Sequence, residues 1–376
     1  MSQLEQQPGY DYRVVEPGDR SGFLDLQAAV WDHERRPAWF RWRFEDNPYL
    51  DETPMVVAER DGQIVGAEPC LVFDVRVGTE TVRALQPADW AVHPDHRKRG
   101  VFSGMTERLL ERYDDGPARL FFNFPNDALV PGLEKFDWTI REGPTTYYRI
   151  QRPSRVARQG SGSKREFRSI ASRNLGRVIA PLTRSYLRAR DRLRQSTDGY
   201  TVERHESIPV DLLSEFGERG ADDAIHVVRD DAYYRWRFAN PRWETTAYVA
   251  RRDGEAVAAC VVCSEQRGDL ETTAILDTVP RDGTVEPDAF RAVLGPVVED
   301  AADADVVKVG EGPIPDAVLQ SFGFRATDSF PMSALSNRPA LAVRSTRRAE
   351  TDGIEIGGVD PTERPWELAL ADRDVA

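Results

Sequence analysis

The spacing of apolar residues between Leu85 and Tyr113 predicts a strand, a short turn and a helix in succession. The strand is Leu85 to Val92, and Pro94 ends it because proline has no N–H for the sheet ladder. Apolar residues then recur at helical spacing at Val101, Met105, Leu109 and Tyr113. The turn between the two elements is basic and contains one glycine.

Strand and helix patterns alternate through the rest of the first 150 residues. Weak alternation predicts a first strand near residues 10–15, and helical spacing follows over 23–31. Asp61-Gly62 predicts a tight hairpin turn between two strands. Arg119 to Phe124 and Thr145 to Ile150 are predicted as later strands. This order indicates a mixed-sheet α/β domain over residues 10–150.

The second half of the chain repeats the first. Arg41-Trp-Arg-Phe44 and Arg235-Trp-Arg-Phe238 are each followed by Asn-Pro, and the hairpin segments at 57–62 and 249–254 also correspond. A shorter correspondence pairs the segment that begins at Asp89 with the segment that begins at Asp277. Ordered repeats of this length predict a second domain, over residues 199–345. We expect the two tryptophans of the repeated motif, Trp42 and Trp236, to be buried anchors at the end of a helix.

The basic turn before the predicted helix is a candidate anion site. A helix start leaves backbone N–H groups without partners and carries a partial positive charge. Arg97, Lys98 and Arg99 add three formal charges next to it. A phosphate-bearing ligand is the expected partner.

The segment Val92-x-Pro94-x-x-Arg97-x-x-Gly100-Val-Phe102 resembles motif A of the GNAT (Gcn5-related) acyltransferases. In that family the loop holds the pyrophosphate of acyl-coenzyme A on backbone amides. The resemblance implies acetyl-CoA as co-substrate, no metal, and coenzyme contacts from Ala91, Val92, Arg97, Lys98, Arg99, Gly100, Val101, Phe102, Ser103 and Asn126. This chain departs from the family at Phe102, which stands where a small residue is usual.

In the second half the corresponding loop, residues 280–287, is acidic and contains two prolines. An acidic turn is a poor pyrophosphate site. The predicted architecture is therefore two GNAT-like domains in tandem, the second degenerate, joined by a basic helical linker.

The resemblance also implies direct attack of an acceptor on the thioester, which requires a general base. Asp89 and Glu68 are the candidates, because each is a carboxylate in an apolar strand, and either is equally compatible with a structural role. The tyrosine that usually protonates the leaving thiolate is replaced by Leu133. Tyr147, or its neighbour Tyr148, is a candidate replacement.

Composition limits the remaining classes of function. The formal net charge of −13 argues against DNA binding by the bulk of the chain. No apolar run is long enough to span a membrane, and the N-terminus lacks the features of a signal peptide, so we expect a cytoplasmic location. Cys260 and Cys263 have the spacing of half a zinc site, but their surroundings predict a buried strand.

Two segments lie outside the predicted domains. Residues 151–198 are basic, with helical apolar spacing in the second part. They are interpreted either as a brace between the domains or as a peripheral contact of residues 164–194 with an anionic surface. Residues 346–376 are predicted to be a polar, loosely ordered tail.

The expected function is that of an acyl-CoA-dependent acyltransferase, most simply an N-acetyltransferase. Its acceptor would be an amine, either small or polymer-linked. Two alternatives remain: a non-catalytic tandem GNAT binding module, and a FemAB-like aminoacyl transferase. The basic loop favours coenzyme A over a charged tRNA. The sequence does not indicate the acceptor or the oligomeric state.

Overall fold

The computed structural model describes residues 9–31, 35–159, 199–217, 219, 224–329, 332, 338–346 and 355–373. The strands are β1 (Asp11–Val14), β2 (Met55–Arg60), β3 (Gln63–Val77), β4 (Glu80–Pro87), β5 (Ala91–Val92), β6 (Leu120–Asn123), β7 (Thr139–Glu142), β8 (Thr146–Ile150), β9 (Tyr200–His205), β10 (His226–Val227), β11 (Glu244–Arg252), β12 (Glu255–Arg267), β13 (Leu270–Val279), β14 (Val306–Gly310), β15 (Arg325–Ala326) and β16 (Ala340–Ser345). The helices are α1 (Arg20–Val30), α2 (Pro37–Phe40), α3 (Val101–Tyr113), α4 (Val130–Glu134), α5 (Pro153–Gln159), α6 (Val210–Gly217), α7 (Asp231–Arg237), α8 (Pro287–Asp300) and α9 (Asp316–Ser321).

The described residues form two compact units. One draws on residues within 1–141, 239–241 and 341–364, and the other on residues within 142–238, 242–340 and 365–376. Of the predicted basic linker only the beginning, including α5, is described, and residues 160–198 lie outside the described part. Within the described residues, no helix has both the length and the apolar character needed to cross a membrane.

The sheet of the first unit has the strand order β1-β2-β3-β4-β6-β16-β7, with β5 also paired to β3. Neighbours from β1 to β4 are antiparallel, β4 and β6 are parallel, and β6 and β16 are antiparallel. Helix α3 packs closely on β3 because Gly66 has no side chain. A Cβ at this position would lie 2.9 Å from both Met105 Sδ and Val101 Cγ1.

The sheet of the second unit has the order β9-β11-β12-β13-β14-β8-β15. The first four strands are again antiparallel, β13 and β14 are parallel, and β8 is antiparallel to β14. Helix α8 supplies Phe290, Val293 and Val297 to the buried core of this unit. Cys260 and Cys263 are buried in β12, as predicted. The two sheets therefore share one order and one set of strand directions over six positions.

The two hairpins repeat each other in detail. Asp61 and Gly62 both have positive φ, 53° and 78°, and Asp253 and Gly254 follow with 53° and 88°. Each pair of strands also shifts register just before the turn, between residues 58 and 59 in the first unit and between 250 and 251 in the second. Two positive φ angles in a two-residue loop produce the turn that matches strand twist. The Asp-Gly prediction is confirmed in both places.

The chain divides differently from the predicted boundaries of 10–150 and 199–345. Strand β8, expected to close the first domain, pairs with β14 in the second unit, and β16 pairs with β6 in the first. Both segments are short and rich in aromatic or apolar residues, so their pattern specifies a strand but does not specify its neighbour. The last strands of the two halves are thus exchanged.

The predicted loose tail is also corrected. Leu368, Leu370 and Asp372 are buried, and residues 370–372 form a short 3-10 turn. The apolar residues here alternate with alanine in too short a run to give a periodic signal. The C-terminal segment, residues 365–373, is part of the second unit.

Candidate functional site

The strand that leads to the basic turn is broken after Pro87. Ala88 N donates to Pro69 O at 2.9 Å, and β5 then resumes the pairing with β3 opposite Ala67 and Gly66. Between them, Asp89 has a φ of 52°, an uncommon angle that aspartate tolerates better than most residues. The Asp89 carboxylate binds two arginines, Arg35 and Arg43, whereas the adjacent Trp90 ring packs against Phe102 of α3.

The parallel strands β4 and β6 stop pairing after two residues each, and the gap that begins there is called the cleft below. Strands β4 and β6 are paired only at Ala84–Leu120 and Leu85–Phe121. Beyond these residues β5 stays with β3, while Phe122 and Asn123 pair with β16 on the other side. Ligands of open α/β sheets bind at the carboxyl ends of strands that part in this way.

The basic turn connects β5 to α3 and contains two residues with left-handed backbone conformation. Lys98 and Gly100 have φ angles of 59° and 74°, and the Arg97 guanidinium donates from Nε to Val92 O at 3.1 Å. The side chains of Arg97, Lys98 and Arg99 are exposed. Arg97 is extended, with φ −68° and ψ 155°, and the two left-handed residues that follow then turn the chain into the start of α3.

The first turn of α3 supplies further donors. Gly104 N donates to Gly100 O at 3.0 Å, so the amides of Val101, Phe102 and Ser103 precede the hydrogen-bond ladder of the helix. Together with the three basic side chains these amides make the N-terminus of α3 a candidate anion site. The structure thus brings Ala91, Val92 and the segment 97–103 into one strand–turn–helix unit, as the sequence predicted.

Glu68 is a buried carboxyl group on β3, beside the strand break. Its side chain is 1% exposed, and Thr106 Oγ1 of α3 donates to Oε2 at 2.9 Å. Its Oε1 has no hydrogen-bond partner among the described residues. Burial raises the pKa of the Glu68 carboxyl to about 8, against the opposing effect of the Thr106 hydrogen bond. A carboxyl group that titrates near neutral pH is suited to act as a general base.

Asp89 is held differently. Arg35 Nη1 binds one carboxylate oxygen and Arg43 Nε binds the other, each at 2.5 Å. Burial acts to raise the pKa of Asp89, but the charges of Arg43 and Arg35 outweigh it and keep that pKa below the usual range. A carboxylate that is bound on both oxygens by guanidinium groups is a poor proton acceptor, which favours the structural role over the base.

The other predicted residues have contacts of their own. Tyr147 belongs to the second unit, where its hydroxyl donates to Asp316 Oδ1 at 2.6 Å, and burial raises its pKa. Leu133 is fully buried on α4. Asn126 is exposed, and its side chain accepts a hydrogen bond from Ala128 N at 3.0 Å at the start of α4. Its geometry is that of a local turn residue.

Sequence reasoning missed three residues of this region. Arg35 has a detectable signal, because it lies 194 positions before Arg229, the same offset as the repeated Arg-Trp-Arg-Phe motif. Thr106 is a single polar residue in the apolar stripe of a helix, and such a residue does not by itself indicate a functional role. The sequence predicts Trp90 only as part of the strand Leu85 to Val92, and its packing against Phe102 depends on the strand break.

The corresponding region of the second unit has the aspartate without the basic turn. Asp277 on β13 is bound by Arg229 and by Arg281, at 3.1 Å and 3.0 Å. The loop that follows carries Asp282, which pairs with Arg219 at 2.8 Å. Helix α8 begins at a proline, which has no N–H to offer. These features disfavour an anion at this helix start.

The C-terminal segment lies where β13 and β14 part in the second unit. Their pairing ends at Ile275–Val309, and the next residue, Gly310, lies close enough that a Cβ there would be 3.2 Å from Leu370 N. Arg229 binds the Asp372 carboxylate at 2.6 Å, and Arg237 Nε donates to Ala371 O at 2.6 Å. This segment therefore occupies the place that corresponds to the cleft of the first unit.

Comparison with known proteins supports the family suggested by the turn. A family model described as an acetyltransferase (GNAT) domain matches residues 11–141. No curated protein matches the chain. The match covers the strand break, the basic turn and α3. It supports the GNAT superfamily, and an acyltransferase activity in general, for this part of the chain.

Solved structures resemble most of the chain at low sequence identity. A GCN5-related N-acetyltransferase from Anabaena variabilis ATCC 29413 has a TM-score of 0.54 at 10% identity, over 90% of this chain and 73% of that chain. A conserved protein of unknown function from Enterococcus faecalis V583, a probable N-acyltransferase, has a TM-score of 0.58 at 10% identity, with the same coverages of 90% and 73%. A GCN5-related N-acetyltransferase from Kribbella flavida has a TM-score of 0.53 at 14% identity, over 89% and 71%. At these identities the likeness shows the fold: a mixed α/β chain with two mixed sheets.

Proposed function

We propose that the first unit is an acyl-CoA-dependent N-acyltransferase, with acetyl-CoA as the simplest donor and an amine as the acceptor. The observation that carries the proposal is the junction of three features: parallel strands that part, a basic turn with two left-handed residues, and the start of α3. A diphosphate on the turn would direct its attached chain toward the parted strands. The family match over the same residues supports this assignment.

Glu68 is the proposed base of the reaction. The amine nitrogen attacks the thioester carbonyl carbon, a C–N bond forms, and the C–S bond breaks to release coenzyme A. Glu68 takes the amine proton, directly or through one water, and a proton from solvent neutralises the leaving thiolate. Its uncommitted Oε1 and raised pKa support this role. The amides of the strand break, at Asp89 and Trp90, are the proposed donors to the developing oxyanion.

The second unit is proposed to be a degenerate copy of the first. The shared strand order, the paired hairpin bulges and the two buried aspartates, one just after β4 and one on β13, support a common origin. The acidic loop and the C-terminal segment favour a structural role for this copy. On this proposal the chain binds one acyl donor.

The test is calorimetry of the full chain with acetyl-CoA, followed by a panel of amines with release of free thiol as the signal. We expect one donor site and acyl transfer to at least one amine, with slow hydrolysis of acetyl-CoA when no amine is present. Absence of coenzyme binding at millimolar concentration would refute the proposal. Binding without any transfer or hydrolysis would favour the second candidate, a donor-binding module, for which the leucine at position 133 is the specific observation.

A further inference from the structure

Phe102 lies across the cleft of the first unit. It is the second residue of α3, and its ring centroid is 5.2 Å from that of Trp90 at an interplanar angle of 58°. On its other side the ring touches α4, where a Cβ on Gly132 would lie 3.0 Å from Phe102 Cε1. One aromatic side chain thus contacts both the strand break and the helix that follows β6.

This position coincides with the divergence of the two strands. Trp90 belongs to the segment that joins β4 to β5, and α4 is the first helix after β6. The Trp90–Phe102–Gly132 contact therefore bridges the two sides of the opening that begins after Leu85 and Phe121. A Cβ on Gly132 would be crowded by the Phe102 ring, so the ring and α4 lie close together and leave little room between them.

Trp90 carries a polar group that this arrangement leaves unused. Its indole Nε1 is buried, and within the described part of the chain it has no hydrogen-bond partner. A buried donor without an acceptor is costly, and most native structures avoid it. A ligand with a carbonyl or amide oxygen in the cleft would satisfy this donor.

We propose that Phe102 and Trp90 form an aromatic gate that controls entry of the acyl donor. The proposal rests on the proposed function, because a donor held by its diphosphate at Gly100 must pass this pair to reach the strand break. The Phe102 ring must turn away from Gly132 to admit the donor arm, and the Trp90 N–H then becomes available to an amide oxygen of that arm. Phe102 accordingly controls donor entry, whereas Glu68 is the group that takes the proton in the reaction.

The gate has a measurable consequence for affinity. Donor binding to a site that is open in only a fraction of molecules is weakened by that fraction. If the closed arrangement predominates by about ten to one, removal of the ring tightens donor binding about tenfold. A residue that merely packs the core would give no gain in affinity when it is truncated.

The experiment compares coenzyme A binding by calorimetry to the full-length parent, Phe102→Ala and Phe136→Ala. Phe136 is a half-buried phenylalanine of the same unit and serves as the matched truncation. We expect Phe102→Ala to bind about tenfold more tightly and Phe136→Ala to bind as the parent does. Equal or weaker binding by Phe102→Ala, with the parent still binding, would overturn the gate and leave the proposed function intact.

A second measurement leaves Phe102 in place, in case its truncation impairs folding. Coenzyme binding should change the tryptophan emission of the parent as Phe102 leaves Trp90, and Trp90→Phe should abolish that change while still binding coenzyme. Persistence of the full signal in Trp90→Phe would contradict the gate. If neither the parent nor Phe102→Ala binds coenzyme A, the proposed function itself fails.

Discussion

Asp89 lies just after β4 and Asp277 lies on β13, the fourth strand of its sheet as β4 is of the other, and each is a buried carboxylate bound by two arginines. Arg35 binds Asp89 and Arg229 binds Asp277, and these two arginines are separated by the offset of the repeat. The arrangement recurs in the second unit, where the corresponding loop, residues 280–287, is acidic rather than basic. A feature retained where the reaction is not expected is better explained by folding than by catalysis.

Replacement of either aspartate should therefore destabilise the protein. Loss of one partner from a buried ion pair leaves the other charge uncompensated, at a cost of about 3–5 kcal/mol. We expect Asp89→Asn and Asp277→Asn both to lose stability of this order in urea unfolding. Glu59→Gln, which breaks a partly exposed pair with Arg13, should lose less than about 1 kcal/mol. An Asp89→Asn variant with parental stability and no activity would restore Asp89 as the candidate base.

Glu68 should control the pH dependence of the reaction. With a raised pKa of about 8, the base is mostly protonated at neutral pH, so kcat/KM should rise with pH through an inflection near 8. Glu68→Gln should reduce kcat by about 100-fold or more and remove this limb. The Thr106 hydrogen bond lowers the pKa of Glu68, so Thr106→Val should move the inflection to higher pH. An unchanged profile in both variants would exclude this role.

The same shift predicts an effect on stability with a definite sign. The pKa of Glu68 is raised in the folded state, so its contribution is fully present below the ordinary carboxyl pKa and is lost as pH rises through about 8. Glu68→Gln should therefore be more stable than the parent at pH 9, where the parent must bury a carboxylate. The two should differ much less at pH 5. Urea unfolding at the two pH values measures the difference.

Donor binding should depend on the turn of the first unit alone. Gly100→Glu places a carboxylate and a side chain at a left-handed residue beside the amides of α3, so it should abolish coenzyme binding. Gly283→Glu is the matched control, because Gly283 has a similar φ of 72° in the corresponding loop of the second unit. Gly283→Glu should leave a single coenzyme site with the affinity of the parent. Two equivalent sites in the parent would contradict the asymmetry of the copies.

Local patterns were sufficient for much of this site. The helical stripe after Val101, the basic turn and the Asp-Gly hairpins are each decided by residues within one or two turns of chain. Glu68 stood out because a carboxylate in an apolar strand must be explained. These features follow from sequence because their physical causes are local.

The features of the fold and the site that the sequence did not predict depend on pairings between distant segments. Nothing in Thr146–Ile150 or Ala340–Ser345 specifies which sheet edge each strand joins, so the exchange of last strands was not predicted. The pairing of Arg35 with Asp89 spans 54 positions. The burial of Asp372 requires Arg229 and Tyr233, which lie far away in sequence. Long-range ion pairs leave no periodic signal.

The C-terminal segment should be essential to the second unit. Gly310→Ala would place a methyl group 3.2 Å from Leu370 N and Arg373 Nη2, which forces the segment outward. We expect a lower melting temperature and faster hydrogen exchange at residues 369–373. Gly295→Ala is the matched control, since its Cβ would meet no atom within 4 Å and alanine favours a helix interior. Parental exchange at 369–373 in Gly310→Ala would show that the segment is not held there.

The repeated Arg-Trp-Arg-Phe motif allows a final test of whether a residue pattern serves the fold or the reaction. Trp42 and Trp236 are 4% and 5% exposed, which confirms that both are buried. Truncation of a buried tryptophan removes a large apolar contact, so Trp42→Ala and Trp236→Ala should each cost about 3–5 kcal/mol. Trp31→Ala is the control, because Trp31 is 42% exposed and should cost little. Thermal and urea unfolding of the three variants measure this, with donor binding measured in parallel. If both motif variants unfold like the parent while Trp42→Ala alone loses activity, the motif of the first unit serves the acceptor site and not the fold.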